Sequence, residues 1–502
     1  METTVALLRN LQHGSSTEAL ESLKQLVLET QSNASLRELL GEEPMVWNNL
    51  VAAVQCTTTS TTVTTSKDEL SETIKNLLTL GRNLLAAGQQ SQDNACNANL
   101  EKMIENVLQA CLANADNAAS SGLITTSLQV LANTIAGNAR QKERVWRNWV
   151  RYADEWFMNS LFAFSSRQAI LPLLFFTWNC VSERASLRDT LLNTSSGRAL
   201  LLQLSMIADD AFEESQSKAF ELTYYIIASV IRNGGFEQLY DLAKSEHYVL
   251  SDPQLNILKI VDAMLDSQQI DLGQQPKLPT SLVKIFEAVA IRSSYLMKAL
   301  NSDHSTAASN EKLDVTDATA IWTAVVLLLQ TLAHVSSDLS AKEALLKNGL
   351  LETAIALLGA ANTYVPRRTI KHSSGGVSSS PLDPTAESTS SPESMKAFAF
   401  VKRDTVRLLS TLCYKSRFVQ DEVRRLHGIE LVLSQCNVDD DNPYLREHAV
   451  LCVRNLLEEN TDNQALVAEM EAIKVMPSEA LEGTGITPVV GTDGKVKLQV
   501  DK

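Results

Sequence analysis

The clearest pattern of apolar and polar positions lies between residues 398 and 470. A first helix is predicted there by an apolar face with the spacing i, i+3, i+4 and i+7, formed by Thr405, Leu408, Leu409 and Leu412. A short helix from about Gln420 to Leu426 is expected to end at Gly428, because glycine readily takes the left-handed conformation that ends helices. A last helix follows, with Asn442 as N-cap and Pro443 at its first position. This order of short and long helices is typical of one armadillo repeat.

Helices with similar ends recur along the whole chain. Each reaches an asparagine or a threonine and is followed by a polar break: Asn83, Asn133, Asn179, Asn233, Thr331, Thr411 and Asn455. The successive spacings are 50, 46, 54, 98, 80 and 44 residues. The spacing of 80 contains a serine-rich insert, and the spacing of 98 corresponds to two steps, with one member that the sequence does not place between residues 234 and 300. A period of this size is that of three-helix armadillo or HEAT-like units.

The chain is therefore predicted to be all-α, an armadillo/HEAT-like right-handed helical solenoid. We expect N-terminal repeats over residues 1–363, a disordered Ser/Pro-rich insert over 364–394, C-terminal repeats over 395–476 and a tail over 477–502. In the insert, Ser380 and Ser391 each precede a proline and are candidate phosphorylation sites, unless the insert is a bare flexible linker. In the tail, two apolar runs flank a glycine-rich turn at 491–494, which predicts a small β-hairpin.

Charge and cysteine usage restrict the classes of partner. The 502 residues carry a formal net charge of −15, so we expect neither nucleic acid nor an anionic membrane as a partner. Seven scattered cysteines without a C-x-x-C pair indicate reduced thiols in a cytoplasmic protein. The apolar runs Ala169–Val181 and Ala320–Leu329 are expected to be buried central helices, too short to span a bilayer.

Motifs that carry known chemistry are missing from the sequence. It contains no phosphate-binding G-x-x-x-x-G-K-[ST], no H-E-x-x-H and no G-x-S-x-G, so we expect neither an enzyme nor a cofactor. His448 and Cys452 lie four residues apart on one helix face, with Cys413 or Cys436 as further candidates for a metal ligand. The simpler interpretation is a core cysteine and a partly exposed histidine, because paired ligands at C-x₂-C spacing are missing.

Two features are candidates for protein binding. The first is a set of groove asparagines that would hydrogen-bond an extended peptide, unless they satisfy backbone groups at helix ends: Asn83, Asn133, Asn179, Asn233 and Asn455. The second is a charged patch that is interpreted either as an interaction surface or as an ordinary solvated face: Lys402, Arg403, Asp404, Arg407, Arg446, Glu447 and Arg454.

The block from Lys402 to Leu456 resembles the ataxin-10 family. The matching motifs are K-R-D at 402–404, L-C-Y-K at 412–415, Q-D-x-V-R at 420–424, D-D-x-N-P-[FY]-[IL]-R-E at 439–447 and R-N-L at 454–456. Thr411 departs from the pattern, since the family usually has asparagine there. The length of the chain and its serine-rich insert look like those of a fungal-type member.

The resemblance implies a non-enzymatic, armadillo-like α-solenoid that acts as an intracellular adaptor. Family members are linked to cell survival and, in animals, to cytokinesis. Their partners include kinases, a G-protein β-subunit of the propeller type and a glycosyltransferase, and they self-associate, so a homo-oligomer is expected. The sequence therefore favours a cytoplasmic scaffold that binds protein partners. The alternative is a transport-type receptor that holds extended peptides on the groove asparagines.

Overall fold

The computed structural model describes residues 1–14, 16–59, 67–113, 118–164, 167–213, 218–302, 315–367, 398–470, 486–491 and 496–500. Helices make up nearly all of these ranges, which confirms the predicted all-α fold. The candidate phosphorylation sites Ser380 and Ser391 lie outside the described residues. The chain divides into two compact units. The N-terminal unit comprises Met1–Glu246 and Ser251–Ile270, and the C-terminal unit comprises His247–Leu250 and Asp271–Lys502.

The N-terminal unit contains sixteen described helices. They are α1 (Glu2–Gln12), α2 (Thr17–Ser32), α3 (Ala34–Gly41), α4 (Pro44–Thr59), α5 (Lys67–Leu85), α6 (Gln89–Asn97), α7 (Leu100–Ala113), α8 (Ala118–Ile135), α9 (Ala139–Tyr152), α10 (Glu155–Phe164), α11 (Arg167–Val181), α12 (Ala185–Asn193), α13 (Ser195–Glu213), α14 (Lys218–Arg232), α15 (Phe236–Leu242) and α16 (Asp252–Asp266).

The C-terminal unit begins with a short 3-10 helix, Leu272–Gln274. Its described α-helices are α17 (Lys277–Ser302), α18 (Val315–Val335), α19 (Leu339–Lys347), α20 (Leu350–Tyr364), α21 (Ala399–Cys413), α22 (Arg417–Arg425), α23 (Gly428–Ser434), α24 (Leu445–Leu457) and α25 (Thr461–Glu469). Two strands follow, β1 (Ile486–Val490) and β2 (Val496–Val500), and they pair antiparallel with Ile486 opposite Val500, as the tail pattern predicts.

In each unit, many of the described helices pack on the helix three positions further along the chain. In the N-terminal unit, α2, α5, α8, α11 and α14 form one such row, and α1, α4, α7, α10, α13 and α16 form another. In the C-terminal unit, α18, α21 and α24 form a row, and so do α17, α20 and α23. We call the rows α2–α14 and α18–α24 the third-helix rows. Packing of every third helix on its counterpart is what three-helix repeats require, so the predicted repeat architecture is confirmed.

Two predicted helix boundaries are wrong. The left-handed residue between α22 and α23 is His427, with φ of 56°, and Gly428 lies inside α23. Gly428 is needed there for close approach, because a Cβ would lie 2.8 Å from Cγ1 of Val423. Tyr444, with φ of 66°, directly precedes α24, so Asn442 is not its N-cap. Asn442 is instead buried in the preceding turn, where its carbonyl accepts a hydrogen bond from the Leu445 N–H.

Between Asn233 and Thr331 the described residues hold four α-helices, whereas the predicted two steps of three helices would need six. The interval holds α15, α16, the 3-10 helix and α17, which is a single helix of 26 residues. It also holds most of α18, whose apolar part is longer than the ten residues predicted from the sequence. By length and composition, the segment Asp317–Val335 could cross a membrane, with a mean hydropathy of 1.7. In the structure, 56% of it is buried, and α18 packs on α17 and α21, as a core helix does.

The predicted domain boundaries at residues 363 and 395 fall inside the C-terminal unit. Helices α20 and α21, which precede and follow the predicted insert, pack directly on each other. The described residues before and after the predicted insert therefore belong to the same compact unit. The four-part division of the chain stays a prediction.

Candidate functional site

The groove asparagines at the two ends of the array hydrogen-bond to the protein itself. Asn455 in α24 donates its Nδ2 to the Ser410 carbonyl at 3.1 Å and to the Ser410 hydroxyl at 3.0 Å, both in α21. Asn83 in α5 donates its Nδ2 to the Val27 carbonyl and to the Thr30 hydroxyl of α2, each at 3.2 Å. Both asparagine side chains are buried. Each therefore ties its helix to the preceding third helix, and neither amide is presented to a peptide.

The three middle asparagines are more accessible. Asn133 donates its Nδ2 to the Arg82 carbonyl over a long 3.5 Å and is half-buried. Asn179 is half-buried as well. Asn233 is exposed just after α14 and donates to the Ser229 carbonyl of the same helix at 2.7 Å. The structure thus contradicts a continuous row of five groove asparagines and leaves at most three of them near solvent.

Two buried glutamines, each nine residues after a third-helix landmark, hold the ends of α8 and α24. Gln420 in α22 donates its Nε2 to the carbonyls of Asn455 (2.8 Å) and Glu458 (3.3 Å) at the end of α24. Gln92 in α6 makes the same bonds to Asn133 (3.0 Å) and Ala136 (2.8 Å) at the end of α8. These carbonyls lie in or just after the last turn of each helix, where no N–H four residues further on remains within the helix. Gln92 therefore caps the C-terminal end of α8, and Gln420 caps the C-terminal end of α24.

An aspartate beside each glutamine holds the start of the following helix. Asp93 accepts hydrogen bonds from Gln141 at 2.7 Å and from Asn138, the N-cap of α9, at 3.1 Å. The hydrogen bond from Gln141, with that from Asn138, lowers the pKa of Asp93. Asp421 accepts at 3.1 Å from Asn460, the N-cap of α25. Burial acts to raise the pKa of Asp421, but hydrogen bonds from Asn460, Arg417 and Arg424 outweigh it, and the pKa is lowered.

We call each such set an amide clamp. The N-terminal clamp consists of Gln92, Asp93, Asn138 and Gln141, and the C-terminal clamp consists of Gln420, Asp421, Asn460 and Asn463. In both clamps the N-cap asparagine also accepts a hydrogen bond from the backbone N–H three residues later, at 3.2 Å in α9 and 3.1 Å in α25. The repeated Gln-Asp pair was a sequence signal for this equivalence, visible at residues 92–93 and 420–421.

Two members of the predicted charged patch are buried, so their assignment to the surface is wrong. Lys402 has 0% exposure and donates its Nζ to the Val365 carbonyl at 2.7 Å. Burial lowers its pKa to about 8. Asp404 has 2% exposure and accepts from Nε of Arg403 at 2.8 Å and from Gln330 at 3.3 Å. The cause is that α21 packs on three helices, α18, α20 and α24. They cover more of α21 than its leucine face alone.

The other members of the patch reach solvent. Arg407 on α21 and Arg446, Glu447 and Arg454 on α24 are exposed. Arg403 is half-buried, with its guanidinium 4.7 Å from the centre of the Phe400 ring. We call Arg407, Arg446, Glu447 and Arg454 the α21–α24 surface. Three large apolar side chains lie on or beside α24 and are exposed as well: Tyr444, Val450 and Leu451.

The sulfur and imidazole groups near α24 form no metal centre among the residues that the structure describes. Cys452 is fully buried, and its pKa is raised first by a hydrogen bond with Cys413 and then by burial. His448 is half-buried, and burial lowers its pKa, with Arg407 and Arg403 acting in the same direction. These groups fit the predicted interpretation of a core cysteine beside a partly exposed histidine.

A groove that the sequence did not predict lies between α19 and the ends of α21 and α22. Its cavity has a volume of about 980 Å³. Leu339, Tyr414 and Phe418 line it and have exposures of 84%, 53% and 66%. The lining also includes the charged residues Lys342, Glu343, Lys347 and Lys415. Phe418 lies in the first turn of α22, ahead of the helix start that the sequence predicts at about Gln420, so a search for buried apolar helix faces does not find it.

The C-terminal segment of the chain is similar to known proteins. Residues 401–499 match the sequence model of the family described as "Spinocerebellar ataxia type 10 protein domain". The ataxin-10 homolog of Kluyveromyces lactis is 40% identical over 105 residues, which cover 21% of this chain and 20% of that protein. The Schizosaccharomyces pombe homolog is 42% identical over 107 residues, covering 21% and 25%. Ataxin-10 of Xenopus tropicalis is 40% identical over 98 residues, covering 20% of each. The matches thus span a fifth to a quarter of these relatives.

Solved structures give only loose likenesses. One, from a study of a phosphorylation switch in the interaction between cadherin and beta-catenin, aligns over 94% of this chain and 72% of its own, with 12% identity and a TM-score of 0.37. A complex of SYS-1 with POP-1 aligns over 90% and 75%, with 12% identity and a TM-score of 0.35. Both scores are below 0.5, so the assignment of the fold rests on the helix packing described above. The match of the family model confirms the predicted resemblance: residues 401–499 of this chain are similar to the ataxin-10 family.

Proposed function

We propose that this chain is a non-enzymatic adaptor that binds protein partners through the α21–α24 surface. One observation supports the proposal most strongly. Arg407, Arg446 and Arg454 lie in the segment that matches the family and are exposed, and Arg446 and Arg454 are about one helical turn from the exposed side chains of Val450 and Leu451. Arginine next to exposed apolar side chains is a composition enriched at protein interfaces. Packing of the repeats relies on other residues, namely the amide clamps and the apolar helix faces.

The finer functional assignments follow from the family resemblance. We propose a cytoplasmic adaptor that acts in cell survival or cytokinesis, with kinases, a propeller-type G-protein β-subunit or a glycosyltransferase as partners. Self-association into a homo-oligomer belongs to the same proposal. The matched segment covers a fifth to a quarter of each of these relatives.

Affinity purification with quantitative mass spectrometry tests the proposed surface. The wild-type chain is compared with a variant that carries Arg407→Glu, Arg446→Glu and Arg454→Glu. We expect the specific partners to be lost, because reversing charges at an interface places like charges opposite one another. The matched control carries Arg9→Glu, Arg151→Glu and Arg198→Glu, which reverse three exposed arginines of the N-terminal unit. Recovery of the same partners on all three chains would contradict the proposal.

The alternative function, a receptor for extended peptides, is tested in the same experiment. It now depends on the accessible asparagines, because Asn83 and Asn455 are engaged in the packing of the repeats. The variant Asn133→Ala with Asn179→Ala removes two amides of the half-buried set. We expect this variant to retain the wild-type partners. Loss of partners from it, together with their retention on the arginine variant, would favour the peptide receptor.

A further inference from the structure

The groove between α19, α21 and α22 combines apolar walls with positive charge. Leu339 projects from the start of α19, Tyr414 follows the end of α21, and Phe418 lies in the first turn of α22. Exposures of 84%, 53% and 66% for three large side chains around one cavity are unusual, because exposed apolar residues are normally scattered singly. A contiguous apolar surface with a polar rim indicates a binding site.

The charges around the groove oppose those of the whole chain. Lys342, Lys347 and Lys415 line it together with one acid, Glu343, whereas the chain as a whole carries a formal net charge of −15. No carboxylate of the described residues lies within ion-pairing distance of these three ammonium groups. The Lys415 ammonium rests 5.2 Å from the centre of the Tyr414 ring, which places positive charge directly on the apolar wall.

We propose that this groove binds a short acidic segment of a partner protein that carries a bulky apolar side chain. The apolar side chain occupies the cavity beside Tyr414, and the rest of the segment covers Leu339 and Phe418 at the rim. The carboxylates of the segment face Lys342, Lys347 and Lys415. The cavity of about 980 Å³ is at the upper end of the roughly 300–1,000 Å³ typical of ligand sites, so it accepts more than one side chain.

The solvent exposure of the apolar side chains that line the groove favours a protein segment over a small molecule as its ligand. Leu339 and Phe418 face solvent at the rim, so a ligand that stays within the cavity would leave them uncovered. A peptide that runs along the groove covers both. Lys342 adds a second reason for an anionic ligand. It is half-buried, and burial lowers its pKa, so a carboxylate placed beside the ammonium offsets part of the cost of desolvation.

The groove is separate from the α21–α24 surface. Arg446 and Arg454 are on α24, whereas α19 and α22 supply most of the groove, and the two sites share only α21. The inference depends on the proposed adaptor function only because its ligand is a protein. Variants of the groove leave the three arginines intact, so failure of one proposal is distinguishable from failure of the other.

Selection of peptides from a phage-displayed random library on the full chain provides the test. Selected peptides are synthesised with a fluorophore, and their binding is measured by fluorescence anisotropy. We expect a consensus with several Asp or Glu residues around a Phe, Leu or Trp. We also expect binding to weaken as salt is raised, because charge attraction is screened. The same peptide with its acids replaced by lysine should not bind.

Two groove variants and two matched controls locate the binding. Phe418→Ala removes an exposed ring, and Lys347→Glu with Lys415→Glu reverses two exposed charges, so neither variant disturbs the core. Each is expected to weaken peptide binding roughly tenfold or more, the size of a hot-spot loss. Ile291→Ala and Lys277→Glu with Lys284→Glu change exposed residues of α17 in the same way and should have no effect.

Three results would overturn the proposal. The first is a consensus without acidic residues, or no enrichment of any peptide. The second is unchanged peptide binding in both groove variants. The third is a second copy of the chain in the groove, which sedimentation would show as self-association that Phe418→Ala abolishes and that a selected peptide does not displace.

Discussion

The two third-helix rows are held together by the same kinds of hydrogen bond, although only the row α18–α24 reaches into the segment that matches a known family, through α21 and α24. Asn83 ties α5 to α2 in the N-terminal unit, and Asn455 ties α24 to α21 in the C-terminal unit. The clamp glutamines Gln92 and Gln420 cap equivalent positions at the ends of α8 and α24. Besides its apolar helix faces, each row therefore uses a few polar residues at the same spacing to hold its repeats together. Stacking of the repeats does not by itself require the sequence of the C-terminal segment.

The rows differ in the core and on the surface. Nine residues before the landmark asparagine, α5, α8 and α11 bury an isoleucine: Ile74, Ile124 and Ile170. The equivalent residue of α21 is Lys402, which is buried and hydrogen-bonded to the Val365 carbonyl. On the surface, the C-terminal unit adds the α21–α24 surface and the lysine-rimmed groove. The difference teaches that the segment shared with the family carries features beyond those that hold its repeats together.

The largest effect is expected from removing the clamp glutamines. Gln420→Ala leaves two carbonyls at the end of α24 unsatisfied and deprives Asn460 of the acceptor that Gln420 Oε1 provides at 3.1 Å. Each buried group left unpaired costs about 1–3 kcal/mol, so we expect a loss of about 2–4 kcal/mol in the free energy of unfolding. Urea unfolding followed by circular dichroism measures it.

Gln92→Ala sharpens the comparison. It breaks equivalent bonds to carbonyls, but Gln92 Oε1 has no hydrogen-bond partner among the described residues, so we expect a smaller loss, about 1–3 kcal/mol. Gln25→Ala, at an exposed position of α2, is the control, with an expected change within about 0.5 kcal/mol. A Gln420→Ala chain with the midpoint of the wild type would show that the clamp does not hold the repeats.

A smaller effect is expected from the landmark asparagines. Asn455→Ala and Asn83→Ala each remove a buried amide with two hydrogen bonds, and we expect each to cost about 1–2 kcal/mol. Asn133→Ala should cost less than about 0.5 kcal/mol, because its amide makes a 3.5 Å bond and is half-buried. The same urea series measures all three variants. Equal losses of stability in the three variants would mean that the landmark asparagine supports repeat packing at all three positions.

Sequence patterns were sufficient for the architecture. The apolar spacing and the recurring helix ends predicted three-helix repeats, because a repeat that must bury a face on its neighbours places apolar residues at a regular period. The hairpin of the tail followed from its turn residues. The family block was identified from its motifs, since the Asn-Pro turn at 442–443 and the Arg-Glu pair at 446–447 occur together in a fixed order.

The rest depended on contacts between distant residues. Lys402 carries a charge, and no local pattern shows that α18, α20 and α24 cover it. Gly428 was expected to take the left-handed conformation, because glycine adopts it most readily. In the structure His427 adopts it, and Gly428 instead allows close packing against Val423. The groove escaped prediction for a related reason: its apolar side chains come from α19, α21 and α22, and their exposure is a property of the assembled unit.

The smallest change at neutral pH is expected from Lys402→Ile, which gives α21 the residue type of the N-terminal row. Loss of the hydrogen bond to Val365 and relief from burying a charge act in opposite directions. The effect becomes visible with pH. Burial lowers the pKa of Lys402 from 10.5 to about 8, so the unfolded chain binds more protons than the folded chain between these values. Stability relative to Lys402→Ile should therefore rise from about pH 8 to about pH 10.5.

Urea unfolding of both chains across that range measures the difference, and other titrating groups cancel because they are common to both. Below pH 8 the lysine is charged in both states, so the difference should be constant there. A difference that stays constant up to pH 10.5 would show that Lys402 keeps its ordinary pKa and is not desolvated.

Hydrogen exchange on the free chain and on its complex with the most abundant partner it captures tests most directly whether packing and binding use separate residues. If they do, binding slows amide exchange in α21 and α24, around Arg407, Arg446 and Arg454. Exchange in α5, α8 and α11, where Asn83, Asn133 and Asn179 lie, should stay unchanged. Protection confined to α5, α8 and α11, with none in α21 or α24, would contradict the account.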